Sequence, residues 1–148
     1  MREILDVAAT ICIGWMIGTE FAVSVFIGPI LEKLGPAKAK ATSLFAQRLG
    51  TAMPFWYGLS LVFLIMEMVL RRHEHGFGLL ASATAIWVTV IVLTIFLLVP
   101  INNRIAKLES ESFSEKLQRE HRRWEMLHRG RVAALAVAMV CFCIGIRG

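Results

Sequence analysis

Residues 4–31 read ILDVAATICIGWMIGTEFAVSVFIGPIL, a stretch whose only charged side chains are Asp6 and Glu20. Roughly 20 apolar residues at about 1.5 Å each cover the hydrocarbon core of a bilayer, so this segment is long enough to cross one with some tilt. It reads as a span rather than a cleaved leader: it is too long, carries Glu20, and lacks a small-x-small cleavage site followed by a mature domain. Glu20 sits about 16 Å in from Leu31 by helical rise. A carboxylate at that depth costs at least ~2.5 kcal/mol against lipid, so it is expected to face the protein interior, a partner or a water-filled cavity.

Three more apolar runs follow, Pro54–Leu70, Leu79–Val99 and Val132–Ile146, in a chain of 148 residues that is 57% hydrophobic and 18% charged. The last run supplies only about 22 Å of rise against a core of about 30 Å, so its helix must begin earlier and draw Leu127, His128 and Arg131 toward membrane depth. The expected fold is an all-α membrane protein, a four-transmembrane-helix bundle in one domain, 1–148. Its spans lie near 4–31, 54–70, 79–99 and 127–146, and its last helix extends beyond the bilayer. The segment near Glu32–Met53 is read as a loop, Arg71–Gly78 as a tight turn, and 101–126 as a polar, partly helical connection. The net charge of +5 does not point to nucleic acid, because the basic residues sit between apolar runs, where they act as membrane anchors and topology signals. Most of the 16 Lys and Arg fall in the first and third connections, which favours those as the cytoplasmic ones.

Before the last span, Ser112 with Glu115 has the form of a capping box, and Glu115–Arg119 and Glu125–Arg129 are spaced for i,i+4 pairing. Phe113, Leu117, His121, Trp124, His128 and Arg131 recur at steps of three or four and so share one helix face. That face either lies against its neighbours as an ordinary amphipathic helix or closes over a cavity at Glu20.

Four spans of alternating direction bring Glu20, Arg48, the 100–104 segment, Trp124, His128 and Arg131 to one membrane side. Within this set Glu20 reads as a proton acceptor or an ion-pair partner, depending on its neighbours, and His128 as a proton shuttle. Asn102 and Asn103 read either as donors to an oxyanion or quinone-like carbonyl, or as caps of a helix ending after Pro100. Gly14, Gly18 and Ala22 form a small-residue stripe roughly 160° from Glu20, which ordinary bundle packing explains as well as a homodimer does. Glu125-x-x-His128 has the spacing of a di-iron motif, but no second motif or further carboxylates accompany it. His73 and His75 lie across the membrane from His121 and His128, and Cys12, Cys141 and Cys143 read as small core residues. No metal site and no cofactor are expected.

Gly18-Thr19-Glu20-Phe21, Pro29 and Leu31, Arg48 before Pro54, Val99-Pro100-Ile101-Asn102-Asn103-Arg104-Ile105, and Arg123-Trp124 followed by His128 and Arg131 together resemble the anthrone oxygenase-like family of small four-span membrane proteins. The resemblance covers nearly the whole chain. It implies a membrane oxidoreductase of the cofactor-independent type that oxidises polycyclic anthrones to quinones, with a lipophilic aromatic or quinoid substrate and molecular oxygen. It implies roles for Glu20 and His128 in catalysis, and for Asn102, Asn103, Trp124, Arg131 and, in a more variable loop, Arg48 in substrate binding. The expected setting is a bilayer, that of a bacterial inner (plasma) membrane. Two alternatives stay open: a non-catalytic subunit packing through Gly14, Gly18 and Ala22 into a homo-oligomer or larger membrane complex, and a small transporter or proton path through Glu20.

Overall fold

The structure is a computed structural model that describes residues 2–106 and 115–148; the Ser112–Glu115 capping box, the Glu115–Arg119 pair and the Phe113, Leu117 and His121 part of the predicted face lie outside the described residues and side chains. Four helices are long and apolar enough to cross a membrane. They are α1 (Arg2–Glu32), α2 (Lys38–Leu70), α3 (Phe77–Arg104) and α4 (Glu115–Gly145), of which the last begins ahead of its apolar window Arg122–Gly145. The described residues contain no strand.

Each helix runs back along its predecessor. Arg2, at the start of α1, bonds Glu74 in the turn between α2 and α3; Asn102, late in α3, bonds the Ala46 carbonyl early in α2; and Gly76, before α3, lies directly on the backbone of Gly145 at the end of α4. α4 closes the ring against α1. The bundle interior at one end is solid, with Ile13, Leu64, Leu80, Trp87, Leu135 and Phe142 buried. Large apolar side chains such as Trp15, Phe55 and Phe96 point outward, as expected where the surroundings are acyl chains rather than water.

Two prolines shape the helices. α1 carries a π turn at Val23–Ile27, where the Gly28 N–H reaches back to the Val23 carbonyl, and Pro29 follows. α3 carries another at Thr94–Leu98, where the Val99 N–H reaches the Thr94 carbonyl, and Pro100 follows. A proline cannot donate to the i−4 carbonyl and its ring clashes with it; an inserted π turn absorbs that conflict without ending the helix. The helix therefore continues past Pro100 to Ala106, and neither asparagine there caps a helix end. α2 likewise starts well before the apolar run Pro54–Leu70, so most of the segment read as a loop is helix and Pro54 lies inside it. The α1–α2 turn is short and includes Gly35 at φ 53°, a conformation that favours glycine.

At the end opposite Glu20, Arg71 is buried and bonds Asp6 Oδ1 at 2.6 Å, with Glu67 Oε2 at 3.5 Å and Glu74 Oε2 at 3.6 Å. This ties α1 to the α2–α3 corner. The neighbouring Gly76–Gly145 contact leaves no room for a side chain. Gly76→Ala is therefore expected to destabilise the bundle by about 1–3 kcal/mol through forced separation of the two backbones, read as a lower thermal midpoint in micelles.

Candidate functional site

Glu20 projects from the last α-helical turn of α1 before its π turn and is only 2% exposed. Three side chains from two other helices meet its carboxylate. Tyr57 of α2 donates its hydroxyl to Oε1 at 2.9 Å, Arg131 of α4 donates Nη2 to Oε2 at 2.6 Å, and His128 Nδ1 lies 3.3 Å from Oε2. A guanidinium hydrogen-bonded to a carboxylate at this distance compensates much of the loss of water. Arg131 Nη1 also approaches Thr94 Oγ1, at 3.4 Å, within the π turn of α3, so all four helices contribute. The guanidinium carbon lies 5.8 Å from the centroid of the Tyr57 ring, in cation–π range.

The proton on His128 follows from its neighbour. Arg131 Nη2 is 2.8 Å from Nδ1, and a guanidinium only donates, so Nδ1 accepts and the ring proton resides on Nε2. A proton on Nδ1 would set two donors against each other at that distance. Trp124 stacks on the imidazole with centroids 4.8 Å apart and planes 8° apart, which holds the ring in this orientation. On the other side Trp87 Nε1 donates to the Tyr57 carbonyl at 3.2 Å and closes the floor of the site against the core.

Above this floor lies a cavity of about 480 Å³, mostly apolar, whose wall includes Glu20, Tyr57, Thr94, Trp124, His128 and Arg131. Three buried polar atoms on its wall residues have no hydrogen-bond partner: His128 Nε2, Arg131 Nε and Thr42 Oγ1. Each buried polar atom left unpaired costs on the order of 1–3 kcal/mol, and two of the three, His128 Nε2 and Arg131 Nε, belong to the group around Glu20 at one end of the cavity. Two are N–H donors from adjacent residues of the ion-paired group. Together they suit a carbonyl or developing oxyanion in a dry, low-dielectric pocket.

The structure brings together Glu20, Trp124, His128 and Arg131 among the residues predicted from sequence. Asn102 lines the same cavity nearer its Thr42 end, with its amide on the Ala46 carbonyl at 3.3 Å. Asn103 is exposed and off the cavity wall, because neighbouring residues of one helix point about 100° apart. Arg48 is also exposed and off the wall, on the outer face of α2. Of the small-residue stripe, Gly14 approaches Met139 of α4, Gly18 faces open space, and Ala22 is half-buried. The residues not anticipated are Tyr57, Thr94 and Thr42. Tyr57 left a signal, being the sole tyrosine of the chain and set in an apolar run.

Removing Arg131 leaves Glu20 without its counter-charge. Arg131→Met is expected to cost about 3–5 kcal/mol in unfolding free energy. Combining it with Glu20→Gln is expected to restore more than half of that loss, a coupling read from a double-mutant cycle in micelles.

Comparison with known proteins identifies a family. The sequence pattern of the anthrone oxygenase family matches residues 41–141, a stretch that contains Tyr57, Thr94, Asn102, Trp124, His128 and Arg131 and begins after Glu20. No curated protein and no solved structure is matched. With the family pattern running through well over half of its residues, from early α2 to late α4, the chain belongs to the anthrone oxygenase family.

Proposed function

We propose that the protein is a cofactor-independent membrane oxygenase that converts an activated ring methylene of a lipophilic aromatic compound to a carbonyl, using molecular oxygen. The observation that carries this reading is an apolar cavity walled by His128 and Arg131, whose buried N–H donors Nε2 and Nε have no partner, beside the buried Glu20 carboxylate. In an anthrone the ring carbonyl accepts these two hydrogen bonds, and the methylene across the ring gives up a proton to Glu20. The charge balance favours this step. Before it, Arg131 neutralises the Glu20 carboxylate; after it, Glu20 is neutral and the same guanidinium faces the new enolate oxygen, so no uncompensated charge appears in the pocket.

The enolate then passes one electron to dioxygen, and the ring radical and superoxide combine to form a C–O bond. The resulting peroxide takes back the proton, loses the remaining hydrogen of that carbon and breaks its O–O bond. The products are a quinone carbonyl and water, so one methylene and one dioxygen are consumed per turnover. The protein contributes positioning, the base and stabilisation of the oxyanion, while Trp124 and Tyr57, which both line the cavity, supply aromatic surfaces for a ring system.

A purely structural subunit would leave the donors on His128 and Arg131 without a purpose, and a proton path would not need an apolar cavity of this size. The test is oxygen uptake and quinone absorbance with anthrone as substrate, using purified protein in lipid nanodiscs. Glu20→Gln and His128→Phe are expected to lower kcat by about 10²–10⁴. Asn102→Ala is expected to act more strongly than Asn103→Ala, in line with their positions. Absence of uptake with anthrones and related phenols, or full activity in Glu20→Gln, would remove this reading.

A further inference from the structure

The cavity is not closed on all sides. On α2, Pro54 and Gly58 lie four residues apart, and each is exposed while also lining the cavity; at Gly50, one step earlier, Asn102 of α3 closes over the helix. On α3, Ile95 and Val99 repeat the spacing, are 54% and 39% exposed, and line it too. Residues that face both a cavity and the outside form the rim of an opening. α2 packs on α3 below this level, through Phe77–Leu93, and above it, through Val99–Ala106. Between those contacts lies the π turn Thr94–Leu98, which contains Ile95. Glycine and proline on one rim leave the gap unfilled, and at this depth the outside is the acyl-chain region of the bilayer.

The cavity is also longer than a fused ring system. Its wall runs along α2 from Thr42 to Leu61, about 28 Å of helix rise, and along α3 from Ile91 to Asn102, about 16 Å. The two unpartnered N–H donors, on His128 and Arg131, lie beside Glu20 at one end, and a single hydroxyl, Thr42 Oγ1, lies at the other.

We propose that the gap between α2 and α3 is a lateral portal and that the site takes an aromatic ketone with an activated ring methylene, and the quinone formed from it, bearing a hydrocarbon chain, the ring held at His128 and Arg131 and the chain lying between Gly58 and Ile95 out into the bilayer. This rests on the oxygenase reading for the chemistry of the ring, and extends it to the substituent. A chain lodged in the portal makes the bound state sensitive to the width of the gap. A ring without a chain sits wholly inside and is not.

Binding to the protein in nanodiscs separates these cases without turnover. The probes are 2,3-dimethoxy-5-methyl-1,4-benzoquinone and its 6-decyl derivative, followed by the saturable quenching of tryptophan fluorescence that is lost in His128→Gln, with protein-free discs correcting for partition. A side chain at position 58 meets nothing within 4 Å of its Cβ, so Gly58→Phe narrows the gap without a clash in the bundle. Ile95→Trp does so from the facing helix, and thermal midpoints in the same discs verify folding of both. Each variant is expected to weaken the decyl quinone about tenfold or more while changing the chainless one by less than about twofold. Equal weakening of both quinones, or of neither, overturns the portal and leaves the oxygenase reading standing. Failure of both quinones to bind the unaltered protein overturns the ring assignment and this inference with it, a result that oxygen uptake with anthrone reports separately.

Discussion

A carboxylate held away from water needs a positive charge, and in this protein the requirement organises the bundle. Glu20 on α1 meets Arg131 on α4, and the two are 111 residues apart in sequence. Asp6, on the same helix at the other end, meets the buried Arg71 just past the end of α2. α1 is thereby fixed at two depths, about 21 Å apart by helical rise, to two different neighbours. Neither arrangement is strong evidence of stability in itself, because the loss of hydration offsets much of the attraction. What they add is register, since sliding α1 by one turn would strand both carboxylates.

The space around Glu20 has a local cause. Each π turn sits two residues before a proline, at Pro29 in α1 and at Pro100 in α3, and both turns line the cavity. Where the helices are regular the interior is filled by Trp87, Leu64 and Phe142; where they are interrupted it opens. The prolines and the buried carboxylate are thus parts of one design. They leave a pocket, and the ion pair gives it a polar end. Trp124 contributes by stacking on His128, which fixes the plane of the imidazole beside Glu20.

Much of this was legible from residue order. The four apolar runs and the extension of the last helix follow from length, and the i,i+4,i+7 spacing of Trp124, His128 and Arg131 puts them on one face whatever they touch. Other features depended on context that a linear reading does not contain. Pro54 opens the uninterrupted apolar run because Gln47, Arg48 and Thr51 are interspersed before it, yet a helix at a membrane boundary tolerates both a proline and such polar residues. Asn102 and Asn103 are equivalent as neighbours in sequence, and only the direction of the α3 axis decides that the first faces the cavity. Tyr57 and Thr94 carry single hydroxyls in apolar runs, where packing and function look the same.

By itself the sequence determined that the chain is a four-helix membrane bundle with a carboxylate at bilayer depth, because hydrophobic length and the cost of charge in lipid are local properties of a segment. The tertiary structure alone decided which groups meet that carboxylate, which tautomer His128 adopts and which residues wall the cavity. Those depend on the relative rotation of helices that are far apart in the chain, and rotation is set by packing and by the two proline-linked π turns rather than by composition.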